Sequence, residues 1–183
     1  SQDRPHLLRR RIGSVRVAAM SQPTVYSKAT IRFHWATAIA IIAMWPIGKI
    51  MVGGKPPSQA LYSVHVGLGL VVAVVTLVRV VWVLRTERPE ELEMPRLEKI
   101  LFVATHYVLY GLLGVLSLTG IVMLFAAGSF DAIALAKNDG PSQQHEIASL
   151  VFLLMFVMHV AGVVYYHLKK GKTLQRMGVP LRS

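Results

Sequence analysis

Four long apolar runs separated by short polar stretches dominate the chain. They extend roughly from Thr30 to Val52, Leu61 to Leu84, Ile100 to Ala127 and Gln144 to Leu168. As a helix, each is long enough to cross about 30 Å of hydrocarbon. The runs are continuous rather than alternating in ten-residue strands, which excludes a transmembrane β-barrel. The intervening stretches carry turn and loop chemistry. Gly53-Gly54 and Pro56-Pro57 end the first run. The charged segment Arg85 to Lys99 contains Pro89 and Pro95. Gly128 to Ser142 contains Asp131, Asp139, Gly140 and Pro141. The pattern predicts an all-α integral membrane four-helix bundle of up-down topology, a single domain over residues 26–177. A basic tail over 1–25 precedes it and a short tail over 178–183 follows. The first nineteen residues lack a continuous apolar core, so they do not read as a secretory signal peptide, and Met20 is a plausible alternative start.

Charge adds an orientation. Of 20 lysines and arginines, seven lie in the amino-terminal segment through Arg32, five between Arg79 and Lys99, and five in the carboxyl tail. Only Lys49, Lys55 and Lys137 fall in the other two loops. The positive-inside rule then predicts both termini and the central connector in the cytoplasm. A formal charge of +11 is compatible with nucleic acid, but these basic residues flank apolar runs without interleaved aromatics. Membrane lipid is therefore the expected partner, and nucleic acid is not. The absence of cysteine excludes disulfides, cysteine-ligated iron–sulfur clusters and covalent c-type haem attachment.

The candidate chemistry lies in histidines. His145 and His159 are fourteen residues apart in the fourth run, which on a helix puts both on one face about 21 Å apart. Polar residues inside a membrane are costly and mark functional sites. With the predicted orientation, His65 and His145 lie on the outer side. His34, His106 and His159 lie on the inner side, His167 sits at the inner boundary and His6 is in the tail. Same-depth histidines on different helices suit the two axial positions of a haem iron inside a four-helix bundle. The outer pair is then His65 with His145. The inner pair is His159 with either His34 or His106. Histidines that only form interhelical hydrogen bonds are the plain alternative, and a proton-relay transporter is another. The transporter would require midplane carboxylates, whereas the only acidic residue within the spans, Glu146, lies at an edge. Met44, Met123, Met155 and Met158 read as ordinary gap-fillers.

Supporting residues have two readings each. Arg79 follows His65 by fourteen residues and either pairs with an inner-haem propionate or snorkels to the interface. Arg32, beside His34, has the same two readings. Lys49 and Lys55 are the outer counterparts. Gly67, Gly69 and Gly120 admit either a flat macrocycle or a neighbouring helix. Tyr165, Tyr166 and His167, followed by Lys169, Lys170 and Lys172, form an interfacial belt or a quinone-head site.

Several short motifs resemble the bacterial cytochrome b-561 family: Arg32-Phe33-His34-Trp35, Val64-His65-Val66-Gly67, Arg79-Val80-Val81-Trp82, His145-Glu146 followed by His159, and Lys172-Thr173-Leu174-Gln175-Arg176-Met177. Their order covers roughly Tyr26 to Met177. The resemblance implies a multi-pass protein of the cytoplasmic membrane with two non-covalent, bis-histidine b haems. It implies His65 and His145 as outer ligands and His34 and His159 as inner ligands, which selects His34 over His106. It further implies an oxidoreductase passing single electrons from a periplasmic donor, in some members superoxide, to ubiquinone or another quinone. Those members carry adjacent histidines near the end of the fourth helix, where this chain reads Tyr166-His167, so a quinone site here is altered or uses tyrosine. Few basic residues lie in the outer loops, so electrostatic steering of superoxide would be modest. The alternative is a cytochrome b anchor subunit that passes electrons between a partner dehydrogenase or hydrogenase and quinone.

Overall fold

The computed structural model describes residues 25–53, 58–86, 94–127, 139–170 and 173–179. Residues 1–24, 54–57, 87–93, 128–138, 171–172 and 180–183 lie outside the described residues, and with them His6, Lys55, Lys137 and Lys172. Four long helices follow in order: α1 (Lys28–Gly53), α2 (Gln59–Arg85), α3 (Arg96–Ala127) and α4 (Asp139–Lys170). A single-turn helix, α5 (Thr173–Arg176), closes the chain. No strand occurs among the described residues. All four long helices have the length and composition to cross a membrane.

The helix ends follow local chemistry. Ser58 caps α2, its hydroxyl accepting from the Leu61 amide at 3.4 Å. Pro95 directly precedes α3 and its carbonyl accepts the Lys99 amide. The fourth helix begins at Asp139, five residues before the apolar run predicted from Gln144. Pro141 is compatible with that early start. The first turn leaves its amides unbonded in any case, and proline's fixed φ suits a helix. Within α1, Pro46 lies inside the helix, where it removes one backbone hydrogen bond.

Consecutive helices run antiparallel as two hairpins, α1 with α2 and α3 with α4, and the contact between α2 and α3 is thinner. The start of α1 and the ends of α2 and α4 therefore share one end of the bundle, called here the tail end. There Trp35 Nε1 donates to the Met177 carbonyl at 2.9 Å, tying the segment after α5 to α1. Gly178 turns that segment with a φ of 77°, and a Cβ there would stand 3.2 Å from Ile31. The opposite end, where α2 and α4 begin, is the loop end.

Most large apolar side chains point outward, Leu77, Phe125 and Leu168 among them, as expected of helices bathed in lipid. The interior is sparse. Its centre is a layer of Val72, Leu113 and Phe152, packed by Ile41 and neighbouring apolar residues. A seven-residue spacing runs through all four helices. It connects His34, Ile41 and Gly48 on α1, His65, Val72 and Arg79 on α2, His106, Leu113 and Gly120 on α3, and His145, Phe152 and His159 on α4. Seven residues return nearly to the same face, about 10.5 Å along the axis. The bundle interior thus has three levels: a polar level toward each end and an apolar layer between them.

The middle layer should carry much of the stability. Phe152→Ala is expected to lower resistance to denaturation in detergent by about 3 kcal/mol, whereas truncating the outward-facing Leu150 should change it little. Equal effects of the two substitutions would contradict a packed central layer.

Candidate functional site

At the loop level, α2 contributes His65 and α4 contributes His145. Their ring centroids are 6.3 Å apart, with planes at 74°. The α1 backbone comes close at Gly48, where a Cβ would stand 3.1 Å from His65 Cε1. On α3, Gly120 leaves space beside the His145 ring, and the Thr119 hydroxyl lies 2.9 Å from His145 Nδ1. A cavity of about 300 Å³ opens around both rings, bounded by Met44, Gly48, Gly69, Gly120 and, on the midplane side, Phe152. At its rim Lys49 Nζ pairs with Glu146 Oε1 at 2.6 Å. Lys49 is therefore tied to a carboxylate of the protein itself.

At the tail level, all four helices contribute one polar residue: His34, Arg79, His106 and His159. The His34 and His159 centroids are again 6.3 Å apart, with planes at 57°. His106 packs edge-on against His159 at 4.9 Å between centroids. It donates from Nδ1 to the Phe102 carbonyl at 2.7 Å, because a carbonyl only accepts. Arg79 Nη2 donates to His34 Nδ1 at 2.9 Å, and its guanidinium lies over the Tyr110 ring at 5.4 Å. Guanidinium has no acceptor, so His34 holds its ring proton on Nε2 in this arrangement. The sequence places Arg79 on the His65 face but does not reveal its contact with His34.

Metal–nitrogen bonds of about 2.0 Å and a ring radius of about 1.1 Å put two imidazoles opposed across one metal roughly 6.2 Å apart by centroid. Both 6.3 Å pairs match that separation, and the 4.9 Å pair of His106 and His159 is too close for it. Among the described residues no cluster of three or more His, Asp or Glu could hold a bare ion. Two opposed imidazoles satisfy an iron when a macrocycle fills the remaining positions. The donor set therefore fits haem better than a bare ion.

The expected quinone-head residues fall at the tail end. Tyr166 is 8% exposed and its hydroxyl donates to Glu98, a contact the sequence does not suggest. Lys169 donates to the Tyr165 hydroxyl at 3.1 Å and lies 3.8 Å from Glu98. His167 Nδ1 is buried without a hydrogen-bond partner among the described residues. Arg32 is exposed. The glycines differ from one another: Gly67 faces open space, Gly69 meets Met44 and Gly120 meets His145. Gly48 and Thr119 escaped the sequence reading, since one small residue or one hydroxyl in an apolar helix carries no distinctive signal.

No curated protein matches the chain. The sequence model of the prokaryotic cytochrome b561 family matches residues 25–178, spanning the four long helices and α5. That match, with four apolar helices, makes the chain a multi-pass protein of the bacterial inner membrane and a b-type, haem-binding electron-transfer cytochrome. The chain belongs to the prokaryotic cytochrome b561 family.

Proposed function

We propose that this cytochrome relays single electrons from a periplasmic donor to the quinone pool, using two non-covalently held b haems. The observation that carries the reading is the pair of histidine pairs, each at 6.3 Å, on either side of an apolar layer. Bound haem supplies a reversible one-electron carrier, chemistry that no side chain here offers. His65 and His145 would hold the group at the loop end, and His34 and His159 the one at the tail end. The asymmetry of basic residues supports a periplasmic loop end and cytoplasmic termini.

The two levels differ in readiness. The loop level has its cavity and opposed rings, and no cation occupies a ring nitrogen. At the tail level, ligation through His34 Nε2 requires the ring proton on Nδ1, so Arg79 must leave that nitrogen. A propionate is the natural alternative acceptor, since guanidinium pairs with carboxylate in two parallel hydrogen bonds. His106 would brace His159 from the side rather than ligate. The central layer of Val72, Leu113 and Phe152 would exclude water between the two levels.

Superoxide is the donor that fits the implied activity. Two superoxide ions give up one electron each and leave as oxygen, while one quinone takes two electrons and two protons to become quinol. At the tail end, Tyr166 has its hydroxyl committed to Glu98, which makes His167 the better hydrogen-bond donor to a quinone carbonyl. Protein reconstituted with quinone under a superoxide flux should form one quinol per two superoxides. Electron flow that requires a co-purifying subunit would instead identify an anchor subunit.

Reduced-minus-oxidised spectra of variants test the ligand pairs. His65→Ala and His145→Ala should each remove the same half of the b-type absorbance, and His34→Ala and His159→Ala the other half. His106→Ala should retain both halves. Loss of one half in His106→Ala, with His34→Ala intact, would reverse the tail-level assignment. Gly48→Ala should displace the His65 ring and weaken haem retention at the loop level, with Gly67→Ala unaffected. Full haem retention in Gly48→Ala would show that the close approach of α1 is dispensable.

A further inference from the structure

Thr119 is set apart by its contacts. Three intramembrane threonines bond back to the carbonyl four residues earlier: Thr37 to Phe33 at 2.7 Å, Thr105 to Leu101 at 2.7 Å and Thr119 to Val115 at 2.8 Å. Such bonds satisfy a hydroxyl that lipid cannot solvate. Thr119 alone of the three also reaches a histidine on another helix, His145 Nδ1 at 2.9 Å. Its one hydroxyl proton is engaged by main-chain carbonyls, Val115 at 2.8 Å and Leu116 at 3.2 Å, and a carbonyl only accepts. Toward His145 the hydroxyl oxygen is therefore the acceptor, and the ring proton sits on Nδ1. That leaves the Nε2 lone pair of His145 available to a metal. The relay is His145 Nδ1–H to Thr119 Oγ1–H to the Val115 carbonyl, crossing from α4 to α3.

We propose that Thr119 is a positioning residue for His145. It selects the metal-binding tautomer, holds the ring's orientation and raises its basicity as a haem ligand. The proposal rests on the assignment of His145 as an axial ligand. An acceptor at the far nitrogen gives the imidazole partial anionic character, and partners of this kind are worth about 10–100-fold in metal affinity. The strengthened ligand favours ferric iron, so the relay holds the loop-level haem potential down. The tail level has no equivalent among the described residues, where no hydroxyl or carbonyl accepts from the ring of His34 or of His159. The effect should therefore fall on one haem only.

Potentiometric titration of the purified haem protein, together with haem transfer to an external acceptor, tests the proposal. Thr119→Val keeps the shape and removes the hydroxyl. It should raise the midpoint of one haem, leave the other unchanged, and make the shifted haem leave about ten times faster. A tenfold loss confined to ferric affinity corresponds to about 59 mV for one electron. Thr119→Ser keeps the hydroxyl and should stay near wild type, as should Thr105→Val, which makes the same exchange away from the site. Should Thr119→Val not assemble, Thr119→Ala and Thr119→Ser provide the same contrast. Unmoved potentials and retention in the variants lacking the hydroxyl would overturn the proposal. So would a serine variant shifted as far as valine or alanine, because packing rather than the hydroxyl would then matter. A wild-type protein that takes up no haem fails the functional reading itself, before any Thr119 variant is compared.

Discussion

The structure depends on one spacing between opposed rings. Two imidazoles that share a metal must stand at a set distance, and on the proposed reading that distance spans helices from different hairpins. His65 reaches His145, and His34 reaches His159, each at 6.3 Å between centroids. The helices of each hairpin pack closely, while α2 and α3 meet more thinly. Lipid gives such a bundle little hydrophobic drive to close, because hydrocarbon outside is as apolar as the side chains inside. A sparse interior with room between the hairpins is therefore a stable arrangement in a membrane, and it is what a plate-like cofactor needs. The seven-residue repeat sets polar groups at both ends of that interior and Val72, Leu113 and Phe152 in the centre.

The two polar levels are chemically unlike. At the loop level, the partner of the ligand histidine is a hydroxyl oxygen, and the flanking residues are the small Gly48 and Gly120. At the tail level it is a guanidinium, with a third histidine stacked alongside. On the proposed reading both stations use two imidazoles, and the difference between them lies in the residues around the ligands, a hydroxyl beside His145 against an arginine and a third histidine at the tail level.

Much of this was legible in the sequence, for physical reasons. Apolar runs of membrane length leave little choice but helix, and the polar breaks between them mark the ends to within a few residues; α4 departs furthest, because Asp139-Gly140-Pro141 can form a first turn as readily as a loop. Even spacing along helices let depth pair His65 with His145. Depth alone leaves the choice between His34 and His106 open, because it carries no information about which helices face each other; the family resemblance selects His34, and the 6.3 Å and 4.9 Å separations support that choice. Arg79 and Lys49 both read as candidate propionate partners, yet they contact His34 and Glu146. Thr119, Gly48 and Glu98 act through contacts between helices distant in sequence, which no local pattern encodes.

The central claim is that the bundle interior holds two haems, each between two histidines. Haem-to-chain stoichiometry, measured on the purified wild-type protein together with its low-temperature electron paramagnetic resonance spectrum, tests it most directly. The account predicts two b haems per chain, both low-spin and six-coordinate with two imidazole ligands. A single haem per chain, or a high-spin five-coordinate signal from either site, would contradict it.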